Sequence, residues 1–421
     1  MNKTMSSSAY YAIFFILLVS FLAVSCSDDG SGATYSVPKA EYVALGDSLT
    51  AGVQSAGLRY DWQESSYPAL IAQGLGVTEF EQPLIDDPGI GMSADIISGA
   101  VTPLYYDSAS RMIKVDDYTG SVFDLLSNES YSYPYHNLGV PGAESWDLAN
   151  HTADFEHINF YFVLRDIENY TATAADQAIL QDPEIITLWI GNNDVLGGIS
   201  SGTVNTSTTT SITDFELNMD ELLGLLLDNT DALIYVANIP DITTIPFVTL
   251  LPLNSDAIFA APDDNYGPIL GSATYTIPAS TPLITDETPA FVLLSALEDI
   301  LLGDGISGDY DGSNTSLPGN YTLTSAEVSF AQNLITGYNT YLAARAAGND
   351  RIILIDVNQY MTDLAGVPDD GIELMIRLDD SEVENTKFSD DGIFSLDGVH
   401  LNSAGYQVIA DKFLETIIPD G

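Results

Sequence analysis

Five short apolar runs punctuate the chain: Glu41–Leu45, Tyr135–Leu138, Ile185–Ile190, Ala232–Ala237 and Ile352–Asp356. Each ends in a polar or glycine-rich turn. Their apolarity is continuous rather than alternating, which predicts parallel strands covered on both faces. Longer amphipathic stretches lie between and after them. Phe215–Leu227 sets Leu217, Leu222, Leu223 and Leu226 on one side, Ala326–Ala347 is long and apolar-periodic, and Asn402–Ile418 closes the chain with Asn402 or Ser403 as its cap. Strands alternating with helices predict an α/β fold, a three-layer α/β/α sandwich around a five-stranded, mostly parallel sheet.

Two stretches break this rhythm. Residues 54–134 and 245–323 mix Gly, Pro, Ser, Thr, Asp and Tyr with few periodic runs, and long connections of that kind are uncommon in compact domains. The second carries Ile245–Leu253 and Phe291–Leu302, which are too apolar for a solvated linker. They are expected either to pack as an extra subdomain or to form a wall or lid over a site.

The first 25 residues read as a leader rather than as part of the fold. Lys3 precedes a nearly unbroken apolar run, Tyr10–Val24, too short for a comfortable membrane span, and Ala23-Val24-Ser25-Cys26 follows. The pattern resembles a bacterial lipoprotein signal, which implies lipidation at Cys26, a tether over 26–38, a main domain over 39–421, and an exported, membrane-anchored protein. Cys26 is the only cysteine, so the rest of the chain can hold no disulfide, thiolate nucleophile or cysteine zinc site.

Charge narrows the partners further. Sixty acidic residues against eleven Lys plus Arg give a formal net charge of −49, although only 17% of residues are charged. Bases are scarce more than acids are abundant. Such a surface repels nucleic acid and anionic headgroups and stays soluble at high salt, which suits a saline habitat.

Chemistry concentrates in four segments: Gly46-Asp47-Ser48-Leu49, Asn137-Leu138-Gly139-Val140-Pro141-Gly142, Gly191-Asn192-Asn193-Asp194 and Asp397-Gly398-Val399-His400. Each of the first three directly follows or overlaps a predicted strand end, where open α/β sheets place ligands. In this order they resemble the SGNH/GDSL hydrolases, and the resemblance covers the chain from Glu41 to Ile418. Ser48 is the candidate nucleophile, because a serine hydroxyl needs a base to take its proton. Thr50 stands where the Gly-x-Ser-x-Gly elbow would have its second glycine, so this is not that motif. Among the four histidines, His400 has an acid three residues earlier across a glycine. Asp397 could therefore orient one ring nitrogen while the other faces Ser48.

The resemblance assigns the oxyanion hole to the backbone N–H groups of Ser48 and Gly142 and the side-chain amide of Asn193. Gly142 lacks a Cβ that would hold a ligand away, and Asn193 carries NH₂ donors at the same sheet edge as Ser48. Asp47 and Asp194 read as structural carboxylates that hold the loops.

The resemblance implies a serine hydrolase of carboxylic esters that works through an acyl-serine, with no metal and no cofactor. Fatty-acyl esters are favoured by the apolar insertions, and carbohydrate O-deacetylation by the same machinery is the nearest alternative. A non-catalytic, surface-anchored binding protein on the same fold is the reading from a different class. Two further features carry less. Asp304–Ser313 is oxygen-rich like a calcium loop but lacks the terminal Glu of EF-hand spacing, which favours a solvated turn. Tyrosines 105, 106, 131, 133 and 135 could stack on sugars or serve as ordinary rim residues.

Overall fold

The computed structural model describes residues 37–92, 100–107, 112–128, 130–153, 158–165, 172–250, 289–293, 322–366, 373–376 and 391–419. The leader, Cys26, most of the tether, His157, Leu251–Leu253, most of Phe291–Leu302 and the oxygen-rich 304–313 stretch lie outside the described residues.

The central sheet has five strands: β1 (Tyr42–Gly46), β2 (Asn137–Gly139), β3 (Ile185–Trp189), β4 (Leu233–Ala237) and β5 (Ile352–Ile355). Their spatial order is β5-β4-β3-β1-β2, and all four pairings are parallel. Every one coincides with an apolar run in the sequence. β2 starts two residues later than the run suggests: the Tyr135 carbonyl accepts from Gln181 and the His136 N–H donates to Glu81, although the His136 carbonyl already accepts the N–H of Ala44 on β1. The register aligns the strand ends. Gly46 faces both Gly139 and Trp189, and Ala237 faces Ile355.

Helices cover both faces. On one, α1 (Tyr67–Leu75) packs against α6 (Ser403–Ile417), and Tyr67 stacks on Phe413 with its edge toward Trp189. On the other lie α2 (Ala174–Leu180), α3 (Ile212–Asn229) and α4 (Ser325–Gly348), where Phe215 stacks on Tyr338 at 4.0 Å. α5 (Val357–Gly366) follows β5. Asn402, one of the two expected caps, accepts from the N–H of Gly405, and Thr324 with Glu327 forms a reciprocal capping box at the start of α4.

α3 differs from expectation in one residue. Its buried face is Phe215, Met219, Leu222, Leu223 and Leu226, whereas Leu217 is 62% exposed. At about 100° per residue, Leu217 sits some 200° from Phe215 and faces water.

Both insertions contribute packed structure. The first holds two-stranded antiparallel pairs, such as Gly57–Leu58 with Ile90–Gly91. It also builds a satellite core from Ile85, Ile90, Val122 and Leu125 with Phe162. In the second, Ile245, Phe247, Val248 and Leu250 are buried in the main core, and Pro289–Val292 pairs with Thr322–Thr324.

Candidate active site

Ser48 stands two residues past β1, at the start of a single helical turn, Ser48–Ala51, capped by Asp47. The turn is pressed close to the sheet. A Cβ on Gly46 would lie 2.1 Å from Thr50 Oγ1 and 2.3 Å from the Trp189 carbonyl, so only glycine fits there. Thr50, on the same turn, is hydrogen-bonded to Tyr67 (2.8 Å) on α1. Ser48 is therefore fixed on the sheet edge by packing on both sides, and it is 5% exposed.

His400 arrives from the other end of the chain. Its loop follows the short strand Gly392–Phe394 and turns at Gly398, whose φ of +68° lies in the left-handed region that glycine enters without strain. The turn brings Asp397 Oδ2 to 2.8 Å from His400 Nδ1, and His400 Nε2 to 2.9 Å from Ser48 Oγ. Asp397 Oδ1 accepts the backbone N–H groups of Val399 and His400, each at 2.9 Å. Oδ2 also accepts the N–H of Ala56. Burial works to raise the Asp397 pKa. The His400 charge and the hydrogen bonds from His400 and Val399 outweigh it and hold the carboxyl below its ordinary range. The carboxylate thus stays ionised, held on three sides, with a ring nitrogen on the fourth.

The other histidines in the described residues are engaged elsewhere. His136 accepts the N–H of Glu81 through Nδ1 (2.8 Å), and burial lowers its pKa. His151 lies 3.2 Å from Asp147 and stacks on Phe160.

The strand register brings the segments of Gly142 and Asn193 to the two neighbours of the strand that Ser48 follows. Val140 donates its N–H to the Gly46 carbonyl (2.9 Å), which carries the chain past β2 beside the Ser48 turn. Gly142 then takes φ +84°, with nothing within 4 Å of where a Cβ would be. Asn193 opens the helix Asn193–Ser200 after β3, and its Nδ2 donates to the Ala143 carbonyl (2.9 Å). That bond fixes the amide against the Gly142 loop and leaves a second Nδ2 hydrogen for a ligand. Asp194 ties the same two loops, accepting from the N–H (2.8 Å) and hydroxyl (2.6 Å) of Ser145.

Asp47 also bridges loops. Its Oδ1 accepts from Leu49 N–H, and its Oδ2 accepts from Asn192 Nδ2, both at 2.9 Å. Burial pushes its pKa up to about 6, against the lowering effects of Asn192, Leu49 and His400. Both carboxylates of the Asp47 and Asp194 pair hold loops, as the sequence suggests. Of their partners, Asn192 stands inside the third motif segment without a role assigned from the sequence, and Ser145, three residues past Gly142, has no motif signal.

A cleft of about 660 Å³, its open mouth included, is lined by Ser48 and His400. Its walls are largely apolar and include Leu49, Leu196, Ile242, Ile245, Met361 and Val399. Ile245, the first residue of the second insertion, is part of this wall. Among the described residues no group of three or more His, Cys, Asp or Glu is placed to hold a metal ion.

Residues 42–413 match the family model described as GDSL-like Lipase/Acylhydrolase. No curated protein matches the chain.

Proposed function

We propose, for a chain that belongs to the GDSL-like lipase/acylhydrolase family and is a hydrolase acting on esters, that its substrates are fatty-acyl rather than acetyl esters. The observation that carries this reading is the apolar cleft that Ser48 and His400 line. An acetyl group would leave that wall in water, whereas an acyl chain gains about 25 cal/mol per Å² of apolar surface it covers.

In the proposed reaction, Ser48 Oγ attacks the ester carbonyl carbon while His400 Nε2 takes the hydroxyl proton. The 2.9 Å Nε2–Oγ contact supports that transfer. Asp397 holds Nδ1 and stabilises the imidazolium. Negative charge on the carbonyl oxygen falls to the N–H groups of Ser48 and Gly142 and to the Asn193 amide. His400 returns the proton to the departing alcohol and leaves an acyl-serine. Water then attacks that carbonyl, His400 takes its proton, and Ser48 leaves with it as the free acid is released.

The N-terminal sequence supports export and anchoring of this enzyme through lipid on Cys26. Cys26→Ser is expected to release the protein or leave its leader uncleaved; unchanged membrane fractionation with a cleaved N-terminus would refute the anchor.

The substrate reading is tested with a series of p-nitrophenyl esters from acetate to palmitate, assayed beside an acetylated polysaccharide. Turnover of one or more longer esters well above that of acetate is expected. A preference for the acetylated polysaccharide with negligible turnover of longer esters would assign the protein to carbohydrate deacetylation. Absence of labelling at Ser48 by a fluorophosphonate would assign it to binding.

A further inference from the structure

The register of the sheet gives the cleft a direction and a length. Gly46, Trp189, Ala237 and Ile355 end their strands level with one another. The cleft-lining residues follow those ends in spatial order. Ser48 and Leu49 come after β1, Asn193 and Leu196 after β3, Ile242 and Ile245 after β4, and Met361 after β5. The cleft therefore crosses the strands along their C-terminal edge, from the nucleophile toward β5. Among the described residues, Met361 is the one lining residue that β5 and its helix α5 supply.

Strands lie about 4.8 Å apart, so the three steps from β1 to β5 span roughly 14 Å. An extended acyl chain of C–C bonds near 1.5 Å advances about 1.25 Å per carbon, so roughly eleven carbons cover that span. Met361 is 9% exposed and belongs to the main core cluster, so it is a packed end wall rather than a loose rim. A methionine there closes the far end with a flexible, polarisable side chain that adapts to a methyl terminus.

From this geometry we infer that the protein is selective for medium-chain acyl esters, of about eight to twelve carbons, and that Met361 is the residue that sets the upper limit. The inference rests on the acyl-ester reading of the cleft. It concerns the acyl side of the ester alone.

The test measures kcat/KM for p-nitrophenyl esters from acetate to palmitate on the wild type, Met361→Ala and Met361→Trp, with a melting curve for each. The wild type is expected to peak between octanoate and dodecanoate. Met361→Ala opens the end wall and should raise the palmitate-to-decanoate ratio about fivefold, whereas Met361→Trp should lower the decanoate-to-butyrate ratio about tenfold, by the selectivity each methylene carries. Ratios within a factor of about two of wild type in both variants would overturn the role of Met361. So would a wild-type optimum at palmitate. If Met361→Trp does not fold, the alanine variant alone decides. A wild-type profile that falls steadily from acetate would instead overturn the acyl-ester reading itself, before any variant is considered.

Discussion

At the scale of single residues, the site is a set of short polar contacts with little slack. Each proposed role has a different kinetic signature. Ser48→Ala and His400→Ala should each lower kcat by roughly 10⁴–10⁶ with the fold intact, and Asp397→Asn by less. Asn193→Ala should lower kcat by roughly 10²–10³ and leave KM nearly unchanged, because its amide acts on the developing oxyanion. Steady-state kinetics on the four variants checks all of these. More than a few percent of turnover in Ser48→Ala would place the nucleophile elsewhere, and an Asn193 effect confined to KM would move that amide to ground-state binding. Ser48, Gly142 and Asn193 were legible because their segments stand at strand ends, and Asp397 and His400 because an acid and an imidazole are spaced three residues apart across a glycine. Met361 and Ile242 were not, since a wall residue differs from any other core residue only by what the fold leaves empty beside it.

Asp47 adds a residue-scale effect on stability. Burial raises its pKa from 3.8 to about 6. The native state then binds more protons than the unfolded chain between those two values, so this group destabilises the fold above pH 6 and stops doing so as pH falls toward 4. The shift corresponds to about 3 kcal/mol. Asp397, with its lowered pKa, contributes with the opposite sign, so the raw pH profile mixes the two. The difference between Asp47→Asn and wild type isolates Asp47. The variant's stability relative to wild type is expected to fall as pH drops from 7 to 4, by up to that amount. Denaturant titrations of both proteins at several pH values measure it, and a pH-independent difference would show that the carboxyl is not titrating there.

At the scale of elements, the strands were readable because burial on both faces leaves no polar alternation to confuse. Val43, Ala44 and Leu45 are all fully buried. Helix faces were read less well, as Leu217 illustrates, because a leucine-rich segment offers more than one apolar stripe. The insertions were unreadable in detail, since their short strand pairs are specified by contacts distant in sequence. The packing of the Ser48–Ala51 turn against the sheet makes its own prediction. Gly46→Ala would press a methyl onto the Trp189 carbonyl, a backbone atom that cannot rotate away. The variant should lose roughly 1–3 kcal/mol or fail to fold. An unfolding midpoint equal to that of wild type would mean that the turn yields more easily than its geometry implies.

At the scale of the whole molecule, charge dominates. Eleven basic residues cannot pair sixty acids. Ion pairs such as Lys39–Asp182 and Arg345–Asp220 are partly exposed, which limits what each contributes. The net −49 is what those bases leave uncompensated. The field of that charge has no purchase on a neutral ester but opposes approach to an anionic surface. The Debye length is about 10 Å at 0.1 M salt and about 3 Å at 1 M, so the opposition should be strong at low salt and nearly absent at high salt. The same medium-chain ester dispersed in neutral and in anionic vesicles separates this effect from chemistry. At 50 mM NaCl hydrolysis is expected to be slower on the anionic vesicles, with the gap closing by 1 M NaCl while the rate on neutral vesicles changes little. A gap independent of salt would mean that headgroup chemistry, not the protein's charge, governs access to the substrate.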